Sequence, residues 1–206
     1  MWRPRPSVKA ATSSRERVQL DPGMAVGEAP HVYRPAEDSL LLLDSISLGA
    51  GERFLEVGTG TGLIALHAAR SARAVATDAN REAVRLARAN ARRNGLPLGV
   101  VLTHLMAGLR GPFDVVAFNP PYLEGPPRDD LDRAWQGGHQ GSDVSLRFLV
   151  DLERVLSAKG RAYLLLSRAN EAARLAAEAR FHVRVVAAKR LFFEELEVLE
   201  LTRRGP

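Results

Sequence analysis

A short apolar segment that ends at two prolines constrains the fold of this chain more than any other feature. Five of the six residues of Phe113–Phe118 are apolar, which is typical of a strand covered on both faces of a parallel sheet. Pro120 and Pro121 then end the strand, because proline cannot donate to the ladder and restricts the residue before it. The segment therefore predicts a buried strand that leaves the sheet as a stiff elbow.

This elbow places two hydrogen-bond acceptors side by side, the amide oxygen of Asn119 and the carbonyl oxygen of Pro120. A planar NH2 group carries two N–H donors with a matching spread, so such a pair selects amide or amino nitrogens. Tyr122 adds an aromatic face on which a cation or a planar group can stack. Taken alone, the same four residues also fit a proline-rich turn at a strand end.

The basic residues of the chain are concentrated at its start. The net charge is +5, and in the first twenty residues five basic side chains against one acidic side chain give +4. We predict a flexible basic tail over residues 1–23, which could contact nucleic acid, and one folded domain over residues 24–206. With no cysteine, no signal-peptide pattern and no long apolar run, we expect a cytoplasmic protein without a membrane partner or thiolate metal site.

Strand and helix patterns alternate along the predicted domain. Strands are predicted at residues 53–57, 74–77, 99–103, 113–118 and 161–166, and a helix is predicted after each of them except the third. The last two predicted strands, 183–187 and 195–201, are joined by about seven residues, too few for a helical crossover, and should pair antiparallel. We therefore predict an α/β fold with a doubly wound, mostly parallel, seven-stranded Rossmann-like sheet and a C-terminal antiparallel strand.

A glycine-rich loop follows the first predicted strand of this sheet and precedes a helix. Its residues are Gly58, Thr59, Gly60, Thr61 and Gly62. Open α/β sheets bind ligands at this place, and Asp78, after the second strand, is placed to accept the hydroxyls of a ribose. Glu56 lies in an otherwise apolar strand, where a carboxylate needs a partner such as an amino group. The loop predicts a nucleotide cofactor, with a dinucleotide as the alternative.

Together, residues 55–62, Asp78 and residues 119–122 resemble class I S-adenosylmethionine (SAM) methyltransferases that act on amide or amino nitrogens. The sequence VYRPAEDS at residues 32–39, and WQGG at residues 135–138 followed by Gly141, look like the HemK/PrmC branch. The short archaeal and eukaryotic-type members, which methylate the glutamine of the Gly-Gly-Gln loop in class 1 release factors, are the most similar. The resemblance extends roughly over residues 33–201.

The resemblance implies a role for each matched residue. SAM is the implied cofactor, and no metal is implied. Residues 58–62 would wrap its methionine portion, Glu56 would lie near its amino group, and Asp78 would hold its ribose. Ser39, where the family usually has threonine, would close over the methionine portion. The catalytic positions would be Asn119, Pro120, Pro121 and Tyr122, with Asn119 also touching the cofactor.

One pair departs from the family pattern after the third strand. The family tends to have Asp-Leu there, contacting the adenine, whereas this chain has His104 and Leu105. A neutral imidazole can accept a proton from the adenine amino group and an imidazolium cannot. We therefore expect SAM binding to weaken below about pH 6.5, where histidine ordinarily becomes charged. Packing of Leu105 on the adenine, with His104 exposed, is the alternative.

The same motif leaves the acceptor open among three chemical classes. A side-chain amide, most of all the release-factor glutamine, is the expected acceptor. Exocyclic amino groups of adenine or guanine in RNA or DNA, reached by base flipping, and protein lysines are alternatives. Related short members act with a small zinc-binding activator protein, so the resemblance also raises the expectation of such a partner.

Overall fold

Seven strands form one central sheet in the computed structural model, which describes residues 14–121, 142–191 and 194–205. The seven strands of this sheet are β3 (Arg53–Val57), β4 (Arg73–Asp78), β5 (Gly99–Leu102), β6 (Phe113–Phe118), β7 (Leu156–Ser167), β8 (Phe181–Leu191) and β9 (Glu194–Arg203). Two short strands, β1 (Glu16–Arg17) and β2 (Ser47–Leu48), form a separate pair. The sheet has the order β5-β4-β3-β6-β7-β9-β8, and β9 runs antiparallel to both of its neighbours. The predicted α/β fold is therefore confirmed.

Within the part of the chain that the structure describes, five helices cover the two faces of this sheet. They are α1 (Glu37–Ser45), α2 (Leu63–Ala68), α3 (Arg81–Arg93), α4 (Asp143–Val155) and α5 (Glu171–Arg180). Alternate side chains of β3 face opposite layers: Phe54 joins the core under α1, α2 and α3, and Leu55 joins the core under α4 and α5. Within the described ranges, none of these helices has the length and apolar character needed to cross a membrane.

The segment just before residue 23 differs from the predicted flexible tail. β1 pairs antiparallel with β2, and the N–H of Val18 donates to the carbonyl of Ile46 at 2.8 Å. Val18 is only 8% exposed, and the N–H of Asp21 donates to Nε2 of His67 at 2.9 Å. These residues therefore pack on the domain, because Val18 contributes an apolar side chain to its core. Residues 1–13, which carry three of the basic side chains, lie outside the described residues.

A buried asparagine on α3 links the N-terminal segment to the glycine loop. Oδ1 of Asn90 accepts the N–H of Gly27 at 2.9 Å. Its Nδ2 donates to the carbonyl of Thr61 at 2.9 Å and to that of Gly27 at 3.1 Å. Because Asn90 is fully buried, water cannot replace these partners if its side chain is removed.

We expect Asn90→Ala to lower the free energy of unfolding by about 2–4 kcal/mol, since it leaves the buried carbonyl of Thr61 and the partly buried backbone groups of Gly27 unpaired. Urea denaturation measures the change. Asn94→Ala is the matched control, because the half-buried Asn94 makes the same kind of hydrogen bonds to Ala25, and these bonds are exposed to solvent. The control should lose less than about 1 kcal/mol. Equal losses in the two variants would show that burial is not what makes Asn90 important.

Candidate active site

A cavity of about 820 Å³ opens at the carboxyl ends of β3, β4, β5 and β6. This is the edge at which open α/β sheets bind ligands. The predicted site residues that line it are Ser39, Glu56, Gly58, Thr59, Gly60, Thr61, Asp78, His104, Leu105, Asn119, Pro120 and Pro121. Segments separated along the chain by up to about 80 residues thus meet around one space large enough for a nucleotide cofactor.

The glycine loop after β3 forms the floor of this cavity. Gly58, Gly60 and Gly62 all have positive φ angles, of 66°, 54° and 89°. A side chain at such positions is strained, which explains glycine at alternate places in the loop. A Cβ atom on Gly58 would lie 3.3 Å from the Phe118 ring and 4.0 Å from the carbonyl oxygen of Asn119. The loop and the elbow therefore approach each other closely.

Glu56 is a buried carboxyl group in the wall of the cavity. It is 5% exposed, and its Oε2 accepts the Thr59 hydroxyl at 2.5 Å and the N–H of Ala65 at 2.9 Å. Burial raises the pKa of Glu56 to about 8, although these two hydrogen bonds oppose the shift. A group in this state gains most from a cationic partner, because a positive charge restores the ionised form. The wall is therefore suited to an ammonium group.

Asp78, at the end of β4, connects the second strand to the glycine loop. Its Oδ2 accepts the N–H of Gly60 at 2.9 Å, and its Oδ1 accepts the N–H of Asn80 at 2.8 Å. Burial raises the pKa of Asp78, and the backbone N–H groups oppose the shift. The carboxylate keeps further lone pairs with which it could accept hydroxyl groups from a sugar.

The elbow after β6 presents one unsatisfied acceptor. Nδ2 of Asn119 donates to Oδ2 of Asp38 at 3.0 Å. Its Oδ1 is buried and has no hydrogen-bond partner among the described residues. A buried acceptor without a partner costs about 1–3 kcal/mol, so its persistence calls for an explanation such as a ligand donor.

Two residues of this site were not predicted as functional from the sequence. Acidic residues in a first helical turn are favoured by the helix dipole, which alone explains Asp38 at the start of α1. In the structure Asp38 is 3% exposed, and its Oδ2 also accepts the hydroxyl of Tyr33 at 2.7 Å. Both residues line the cavity. Their place in the motif at residues 32–39 was the only signal available.

The remaining predicted site residues are less well placed. Gly62 helps to turn the loop but is not among the residues that line the cavity, and His104 is exposed at its rim beside Leu105. Tyr122 and the motif at residues 135–141 lie outside the described residues. Within the described ranges, no group of three or more histidine, aspartate or glutamate side chains is arranged to hold a metal ion.

Sheet order, glycine loop and cavity together define a Rossmann-like methyltransferase fold. Comparison with known families agrees, since the methyltransferase small domain model matches residues 34–193. The chain belongs to the methyltransferase small domain family.

Relatives with assigned names indicate which branch of that family the chain resembles. The chain is 34% identical to a putative protein N5-glutamine methyltransferase of Methanocaldococcus jannaschii, over 84% of this chain and 93% of that protein. It is 36% identical to the mouse methyltransferase HEMK2, over 68% of this chain and 73% of that protein. A release factor glutamine methyltransferase of Deinococcus radiodurans is 40% identical over 72% of this chain and 58% of that protein. The predicted membership of the HemK/PrmC family is confirmed.

Solved structures show the same fold. The Mtq2–Trm112 complex of E. cuniculi, described as responsible for methylation of the translation termination factor eRF1, matches with a TM-score of 0.68 and 26% identity. The match covers 85% of this chain and 100% of that chain. The Thermus thermophilus 16S rRNA methyltransferase RsmC, solved with AdoMet and guanosine, matches with a TM-score of 0.64 and 20% identity, over 83% and 44% of the two chains. At that lower identity the likeness concerns the fold.

Proposed function

We propose that this protein transfers a methyl group from SAM to the side-chain amide nitrogen of a glutamine, in the Gly-Gly-Gln loop of a class 1 release factor. The observation that carries the proposal is the buried Oδ1 of Asn119 at the cavity wall, which has no hydrogen-bond partner among the described residues. A substrate N–H group would satisfy it. The names of the relatives, which include two glutamine methyltransferases, support the same acceptor.

The residues around the cavity fit SAM group by group. The positive φ angles of the glycine loop let backbone N–H groups approach a ligand closely. Glu56, whose raised pKa calls for a cation, is suited to the ammonium of the methionine portion. Asp78 is suited to the ribose hydroxyls, and Leu105, at the rim, to the flat face of the adenine. Ser39 lines the same cavity and is proposed to close over the methionine portion.

The amide nitrogen of glutamine is a poor nucleophile, because its lone pair is delocalised into the carbonyl. When bound, SAM would supply an electrophilic methyl group on a sulfonium, and breaking of the sulfur–methyl bond would leave a neutral thioether. Asn119 Oδ1 and the carbonyl oxygen of Pro120 accept the two N–H groups of the substrate, which aligns the nitrogen and stabilises the positive charge that develops on it. The proton that must be lost is then acidic enough to leave to water. No strong base is required among the residues of the site.

A comparison of candidate methyl acceptors tests this proposal. The purified protein is incubated with methyl-labelled SAM and either a class 1 release factor or bulk tRNA and rRNA. We expect the label on the release factor, and no label on a release factor in which the loop glutamine is replaced. Label on RNA alone would instead support exocyclic base nitrogens as the acceptor.

A small partner protein is part of the proposal. The E. cuniculi relative was solved as a complex with Trm112, and we propose that a small zinc-binding activator similarly assists this chain. The same assay with such a protein added should give a higher methylation rate at equal enzyme concentration. An unchanged rate would indicate that the chain acts alone.

A further inference from the structure

We infer that Asp38 orients the side chain of Asn119 for methyl transfer, an inference that rests on the function proposed above. The two residues are 81 positions apart in sequence, yet Asn119 Nδ2 donates to Asp38 Oδ2 at 3.0 Å. Asp38 is almost fully buried and both side chains border the same cavity. The contact joins the first turn of α1 to the elbow after β6.

The chemistry of a carboxylate decides which end of the Asn119 amide faces it. An ionised carboxylate only accepts hydrogen bonds, whereas an amide has NH2 at one end and oxygen at the other. The NH2 end must therefore face Asp38, and Oδ1 is turned away from it. That is the oxygen that has no partner among the described residues. Asp38 thus holds the acceptor in the direction from which a substrate N–H can reach it.

The two oxygens of Asp38 have different partners, which separates this role from the start of the helix. Oδ1 accepts the N–H of Ser39 at 2.5 Å and its hydroxyl at 3.1 Å. Oδ2 accepts the Tyr33 hydroxyl and the Asn119 amide. A residue that only favoured the helix N-terminus would need Oδ1 alone. The hydrogen bonds made by Oδ2 are therefore not explained by the start of the helix, but they are explained by a role in positioning Asn119.

Asp38→Asn should invert the amide of Asn119. If the oxygen of the new side chain still accepts from Ser39, its NH2 group faces the NH2 group of Asn119. Two NH2 groups cannot hydrogen-bond to each other through their hydrogens, so the Asn119 amide would turn over and point its NH2 group toward the substrate. We expect kcat for release-factor methylation to fall about 10²-fold, with the Kd for SAM within about threefold of wild type. Glu37→Gln is the matched control and should retain wild-type activity. It removes a carboxylate from the same helical turn, but one that is 61% exposed and pairs with Lys189.

A double exchange distinguishes positioning from a general structural effect. Asp38→Asn combined with Asn119→Asp again sets one amide against one carboxylate and leaves an acceptor oxygen toward the cavity. We expect the double variant to be at least about tenfold more active than Asp38→Asn alone. If the two substitutions damaged the structure independently, their losses of activity would add instead. A double variant no better than the single one would overturn the inference. So would an Asp38→Asn variant with wild-type kcat, or one that loses SAM affinity in step with activity.

A measurement without substrate separates this inference from the proposed function. In nitrogen-15 NMR spectra, the side-chain amide protons of Asn119 should exchange slowly in the wild type and quickly, at shifted frequencies, in Asp38→Asn. Unchanged signals would overturn the inference even if the enzyme is active. Changed signals in a protein that methylates no release factor would leave the orientation standing and overturn the function.

Discussion

Asn119→Ala is expected to lower the rate of methyl transfer about 10²–10³-fold, the range seen when one preorganised hydrogen-bonding group of a catalytic site is removed. The Kd for SAM should change little, because the Asn119 amide contributes to orienting the acceptor nitrogen. Only the carbonyl of Pro120 would remain to hold the substrate NH2 group, so the nitrogen would no longer be aligned. Single-turnover methylation of a release factor, with isothermal titration for SAM, measures both quantities.

Asn94→Ala serves as the control for this prediction, since Asn94 directly follows the last residue of α3 and does not line the cavity. Its methylation rate should equal that of the wild type. Retained glutamine methylation in Asn119→Ala would refute the role of the elbow. A parallel loss of SAM affinity would show that Asn119 acts mainly on the cofactor.

Glu56→Gln should abolish the pH dependence of SAM binding that arises from ionisation of Glu56. Burial raises the pKa of Glu56 to about 8, so the free protein holds a neutral carboxyl group there at pH 7. An ammonium partner favours the carboxylate, and binding below pH 8 therefore releases a proton. Wild-type affinity should rise about tenfold between pH 6 and pH 7 and stop rising near pH 8. The variant should lack this rise and bind about 10–100-fold more weakly at pH 8.

The same carboxyl group should make the free protein less stable at alkaline pH. Its pKa is raised above the ordinary value of 4.5. The native state therefore keeps a proton that the unfolded chain has released. This contribution to the free energy of unfolding is on the order of 5 kcal/mol. It is fully present below pH 4.5 and is lost as the pH rises to about 8. Glu56→Gln avoids the loss, so its urea midpoint should exceed that of the wild type at pH 9 and match it near pH 4.5.

Two comparisons make the Glu56 prediction specific. Methylthioadenosine lacks the amino acid portion of SAM. Its affinity for the wild type should therefore not rise between about pH 6 and pH 8 through Glu56. In Glu56→Gln, the affinity for SAM should no longer rise about tenfold between pH 6 and pH 7, because the ionisable carboxyl group has been removed. A wild-type affinity for SAM that is equal at pH 6 and pH 7 would contradict the proposed ammonium partner.

The central strands could be predicted from the sequence because buried parallel strands are continuous apolar runs. β3 and β6 have the predicted bounds, Arg53–Val57 and Phe113–Phe118. β7 begins at Leu156, five residues before its predicted start, since residues 157–159 are polar or small and do not resemble a buried strand. A register shift between its pairs with Phe113 and Val115 accommodates that irregular start.

Site residues within local patterns could likewise be placed in advance, whereas contacts between distant residues could not. The glycine loop, Glu56 and Asp78 each follow from a strand and the turn after it. The bond between Asp38 and Asn119 depends on how α1 packs beside the end of β6, which no local pattern encodes. The packing of Val18 was missed for the same reason, because a single apolar residue between charged neighbours carries no periodic signal.

Tandem mass spectrometry of a class 1 release factor after reaction with this protein and SAM tests the central claim most directly. The account predicts one added methyl group on the side-chain nitrogen of the Gly-Gly-Gln glutamine, present with the wild type and absent with Asn119→Ala. A methyl group found on a lysine, or only on RNA in a parallel reaction, would contradict it.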